Sequence, residues 1–106
     1  MSRIPLLEQF LADDPSDAFT RFALAQEYAK SGDLDAALGH YEALRREQPD
    51  YVGTYYHLGA LLRQAGRLDD ALVVYREGIA AATATGDTHA RSELQGALLN
   101  AELGDD

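Results

Sequence analysis

The chain has 106 residues, no cysteine, and 18 acids against 9 bases, a net charge of −9. Disulfides, thiolate metal sites and cysteine nucleophiles are excluded. Binding to a nucleic-acid backbone or to an anionic membrane surface is disfavoured, because both need a cationic face. The length suits one domain with a continuous core. No run of about 18 apolar residues offers a membrane span, and the N-terminus lacks the basic, apolar and small-residue pattern of a signal peptide. A cytoplasmic location is the resulting expectation. Lys30 is the only lysine, and Asp outnumbers Glu by 11 to 7. That bias suits either a chain kept soluble in concentrated salt or a coding preference for Arg.

In chain order, the first predicted helix covers residues 4–13, with Leu7, Phe10 and Leu11 as its apolar stripe. The second runs from Asp17 to Ser31, where Phe19, Phe22, Ala23, Leu24, Ala25, Tyr28 and Ala29 recur at helical spacing. Ser16 or Asp17 can cap its start, and Gly32 can take the left-handed conformation that ends it. Asp33 then caps a third helix through Leu34, Ala37, Leu38, Tyr41 and Leu44, which stops before Pro49. A fourth helix is predicted from about Tyr51 to Ala65, with a break at Gly66. A fifth runs from about Leu68 to Ala82. Thr85-Gly86-Asp87 marks another turn, and a sixth helix spans about Thr88 to Leu103 with Leu94, Leu98 and Ala101 on one face.

Residues 18–51 slide onto 52–85 without gaps at an offset of 34. Eight pairs are identical, among them Leu24/Leu58, Ala37/Ala71 and Tyr41/Tyr75, where chance gives roughly two or three. The matches concentrate in GDLDAAL (32–38) and GRLDDAL (66–72). The tetratricopeptide signature has this period and reads W-x2-L-G-x2-Y, then A-x3-F, then P. The first unit supplies Arg21, Leu24, Ala25, Tyr28, Ala37, Tyr41 and Pro49; the second supplies Tyr55, Leu58, Gly59, Leu62, Ala71 and Tyr75. The chain therefore resembles tetratricopeptide repeat (TPR) proteins over residues 16–82, and partially elsewhere. Arg21 departs from the pattern, standing where a large apolar residue is usual. Thr83 replaces the second closing proline, so the helix after Leu68 is expected to overrun its usual end.

The resemblance implies an all-α, short helix-turn-helix solenoid of about six helices in a single domain over 1–106. A half-repeat helix at 4–13 would precede repeats at 16–49 and 50–83, with a capping helix at 87–103. Each terminal helix would cover an apolar face that a lone repeat leaves open.

Chemistry is hard to find. Phosphate loops, dinucleotide fingerprints, nucleophile elbows and zinc-protease motifs are missing. His40, His57 and His89 are dispersed and show no i,i+4 His or acidic partners in a liganding pattern. Asp33 and Asp35 fail the spacing of a calcium loop, and the neighbouring acids Asp69 and Asp70 point apart on a helix. No catalytic residue, metal site or cofactor is expected, and the protein is not expected to be an enzyme.

What remains is a surface. By resemblance, the first helix of each repeat lines a concave groove. Phe19, Phe22, Gln26, Ala29 and Lys30 would line it in the first repeat, and Gly53, Tyr56, His57, Ala60, Arg63 and Gln64 in the second. Phe22 and Tyr56 are the expected aromatic anchors, with burial inside the fold as the competing role for Phe22. Lys30 and Arg63 would give a local positive edge, suiting a peptide with an apolar anchor beside an acidic residue. The chaperone-tail clamp of the family is not expected, since Phe22, Gln26, His57 and Asp87 occupy its positions and only Arg91 fits. A scaffold binding a protein or peptide partner is the leading expectation. A self-associating homodimer and a regulatory subunit of a larger complex are the alternatives.

Overall fold

A computed structural model describes residues 2–104, and among them six α-helices and no strand. The chain divides into two compact units, one ending at Gln48 and the other beginning at Pro49.

The first unit holds α1 (Ile4–Asp13), α2 (Ala18–Lys30) and α3 (Leu34–Glu47). Asp17 caps α2, its carboxylate accepting from the Phe19 amide at 3.2 Å and from the Thr20 hydroxyl at 2.7 Å. Ser16 instead donates to Asp14. Gly32 closes α2 at φ +86°, and the Asp33 amide then reaches back to the Tyr28 carbonyl at 2.9 Å. The left-handed glycine satisfies carbonyls that the helix end leaves open. Asp33 then caps α3 by accepting from the Ala36 amide at 3.2 Å. Leu7 and Leu11 of α1 pack on Ala23 and Leu24 of α2, while Phe10 turns outward and is 49% exposed rather than joining the stripe. Ala37, Tyr41 and Leu44 bury the inner side of α3. Gln48 donates to the Ser16 carbonyl at 2.9 Å, tying the end of α3 to the start of α2.

The second unit holds α4 (Gly53–Gln64), α5 (Leu68–Thr85) and α6 (Thr88–Leu103). Gly66 repeats the left-handed turn at φ +80°. Helix α5 is 18 residues long against 14 for α3. With Thr83 in place of proline, no ring blocks its last turns, and the hydroxyls of Thr83 and Thr85 donate back to the Ile79 and Ala81 carbonyls at 2.8 and 3.0 Å. Two glycines let α4 and α5 approach closely. A Cβ on Gly59 would overlap the Tyr75 ring, and one on Gly78 would lie 2.5 Å from the Tyr55 Cβ. Tyr41, Tyr55, Tyr75, Leu24 and Leu58 are all buried core residues. None of the helices among the described residues is long and apolar enough to cross a membrane.

Candidate functional site

Helix α4 divides its faces by the 3.6-residue period. Tyr55, Leu58, Gly59 and Leu62 are buried, whereas Tyr56 and His57 remain exposed on another side of the helix. Helix α6 packs against both α5 and α4, with Leu94 1% exposed. Between α4 and α6 lies a pocket of about 260 Å³ lined by Val52, Gly53, Tyr56, His57, Ala90, Glu93 and Leu94. That volume falls below the range of about 300–1,000 Å³ usual for drug-sized ligands, so it suits one side chain of a larger partner.

The Tyr56 and His57 rings meet edge to face, their centroids 5.7 Å apart. Tyr56 is 43% exposed, an aromatic surface offered to solvent. His57 retains open surface, yet the atoms crowding one side of its ring hold its pKa below the usual imidazole value, with Glu93 pulling weakly the other way. The neutral ring is therefore favoured, and His57 contributes a wall rather than a charge. Glu93 meets His89 Nε2 at 3.4 Å. His89 thus has an acidic neighbour at i+4 after all, one pair on an exposed helix face. Among the described residues no group of three His, Cys, Asp or Glu gathers as metal ligands would.

The other sequence-predicted residues fall into separate places. Phe19 is 68% exposed on α2. Phe22 is partly buried, edge-on to Tyr41 at 6.0 Å, so its ring is held by its own unit. Gln26 is partly buried. Lys30 lies 3.6 Å from Glu27, which also receives Arg3 at 3.2 Å. Arg63 hydrogen-bonds Tyr75, and Gln64 is exposed. Neither cation lines the α4–α6 pocket. Tyr56, His57 and Gly53 are the predicted residues that the fold gathers into one cavity.

Ala90 and Glu93 were not foreseen. The last helix matches the repeat only loosely, and its buried Leu94 stands two positions beyond the strict 34-residue partner of Leu58. The overrun visible at Thr83 was the available signal, because a longer α5 displaces the register of α6. Asp87, the clamp position by strict counting, caps α6 by accepting from the Ala90 amide at 3.0 Å.

Outside the pocket, α1, α2 and α3 bring Glu8, Tyr28 and His40 together. The Tyr28 hydroxyl donates to Glu8 at 2.7 Å, and His40 stacks on Tyr28 at 5.7 Å and 11°. Burial, helped by Arg21, lowers the pKa of His40 against the opposing pull of Glu8.

Helix pairs with a shared turn, small residues at the crossings and an aromatic pocket between alternate helices define a helical-repeat interaction module. Comparison with known proteins gives the same class. The tetratricopeptide repeat family model matches residues 22–86. A TPR repeat-containing protein of Pseudomonas aeruginosa is 32% identical over 88 residues, covering 83% of this chain and 84% of that protein. The crystal structure of a tetratricopeptide repeat domain protein from Salinibacter ruber is 50% identical, with a TM-score of 0.78 over 81% of this chain and 97% of its own. A solution structure of a protein from Bordetella parapertussis is 31% identical, with a TM-score of 0.83 over 98% of this chain and 90% of its own. The chain belongs to the tetratricopeptide repeat family.

Proposed function

We propose that this protein is a non-catalytic adaptor that holds a peptide or helix of a protein partner against the exposed face of α4, with the α4–α6 pocket as the anchor site. The observation that carries this reading is Tyr56, exposed beside His57 at the mouth of an apolar cavity sized for one side chain. Aromatic anchors of this kind bring large contact area at small entropic cost and dominate interface energetics. Arg63 and the exposed Gln64, further along the same helix, would extend the contact beyond Tyr56.

Titration calorimetry with a partner captured by the wild-type protein tests the reading. Tyr56→Ala is expected to weaken binding about thirty-fold, corresponding to an anchor of about 2 kcal/mol. Lys30→Ala, removing an exposed charge, is expected to weaken it less than about ten-fold. Unchanged affinity of a folded Tyr56→Ala protein would move the binding site elsewhere.

A second reading, a homodimer, is favoured by Leu99 and Leu103, one turn apart on α6 and 55% and 66% exposed. Sedimentation over a hundred-fold range of concentration separates the two, since a concentration-independent monomer leaves the adaptor alone.

A further inference from the structure

The net charge around the pocket, rather than that of any one residue, restricts what can enter it. From Pro49 onward the sequence carries nine acids against four arginines. Two of those arginines pair with acids inside the unit, Arg67 with Asp70 at 2.9 Å and Arg76 with Glu102 at 3.0 Å, while Arg63 hydrogen-bonds Tyr75 and lies outside the pocket lining. The fourth, Arg91, is two residues from Glu93 on α6 and so projects roughly 200° around the helix from it. Among the pocket-lining residues, Glu93 is the only acid, and no Lys or Arg joins it. His57 has its charged form suppressed by burial, and the nearest answer to Glu93 is the His89 imidazole, not a permanent cation.

We infer that the α4–α6 pocket selects a partner segment in which an apolar side chain, seated against Tyr56 and Leu94, is adjacent to a lysine or arginine that pairs with Glu93. This rests on the groove reading above and deepens it. It also reverses the sign expected from Lys30 and Arg63, because neither lines this pocket whereas Glu93 does. A Lys or Arg next to the anchor reaches a carboxylate on the pocket wall, whereas an acid there would meet Glu93 and the negative field of the whole unit.

The test uses three pools of acetylated, amidated nonapeptides with a central Leu or Phe, randomised outer positions, and flanking residues set to Lys, Gln or Glu. Each is titrated into ¹⁵N-labelled protein, and the amide shifts of Tyr56, His57, Ala90 and Glu93 report occupancy of the pocket. At about 0.1 M salt, Lys pools are expected to bind about three- to five-fold tighter than Gln pools, with a similar step from Gln to Glu. The steps should shrink towards 1 M salt, where the Debye length falls to about 3 Å. Glu93→Gln is expected to bring the three pools within about two-fold of one another. Pools that shift these amides with Glu flanks preferred, or an order that survives Glu93→Gln, would overturn the charge assignment while leaving the groove standing. Failure of every pool to shift these amides would sink both.

Discussion

The two units share a period and a turn, yet they fill the space between their paired helices with different residues. In the second unit Tyr55 on α4 fills the space beside Gly78 on α5. At the same repeat positions the first unit has Arg21 on α2 and a fully buried Leu44 on α3. Where α4 yields with Gly59 to the Tyr75 ring, α2 has a fully buried Ala25 in the unit that contains Tyr41. The second unit thus places glycine on each helix where the first carries Ala25 and Leu44. A hydrogen bond survives the exchange. Arg21 Nη2 donates to the Pro15 carbonyl at 3.4 Å, and the Tyr55 hydroxyl donates to the Pro49 carbonyl at 2.6 Å. Those donors and acceptors are each one repeat apart. The tip of Arg21 therefore reaches the carbonyl that a tyrosine reaches one repeat later. A charged residue at a usually apolar position is explained without a binding role.

The largest test of this equivalence is truncation of the paired tyrosines. Tyr41→Ala and Tyr75→Ala should each cost about 3–5 kcal/mol in a urea titration, since each removes a ring that is 2% exposed. A cost near zero for one of them would mean that its unit does not depend on the shared packing scheme.

A smaller effect sharpens the contrast at Gly78. Gly78→Leu should destabilise by about 1–3 kcal/mol, because its side chain must displace Tyr55 and Leu94. In a Tyr55→Ala background the same change should cost less, with a coupling of about 0.5 kcal/mol or more. Strictly additive costs would show that the two residues do not compete for the same space.

The gentlest test is alkaline pH. Burial pushes the Tyr41 phenol up to about 12; the Tyr75 phenol is also raised by burial, but the Arg63 guanidinium pulls against it. Above pH of about 10 the unfolded chain loses these protons while the folded one keeps them. Stability should thus fall as pH climbs from about 10 towards 12. Tyr41→Phe should remove more of that slope than Tyr75→Phe, as read from urea midpoints at successive pH values. Equal slopes would place the two phenols in equivalent surroundings.

Much of this architecture was written locally. The bounds of α1 and α6 follow from their flanking turns, and Asp17, Asp33 and Asp87 cap as short polar side chains before apolar runs do. Tyr56 and His57 were legible because helical spacing separates them from the buried Tyr55 and Leu58. Phe22 was not resolved by spacing, since an aromatic at such a position can face solvent or lean on a neighbouring ring. The structure leaves Phe22 partly buried with its ring edge-on to Tyr41.

By itself the sequence determined the six helices, the 34-residue period, the left-handed glycine turns and the identity of the aromatic core. These depend on backbone sterics, capping and periodicity, which act over a few residues. Only the tertiary structure decided which residues of α6 face α4, and which cations are already paired. Thr83 lets α5 run on to Thr85, and Ala90 and Glu93 of the helix that follows line the pocket. A charge is visible in one residue, but its partner is a property of distance in three dimensions, as Lys30 beside Glu27 and Glu93 beside His89 show.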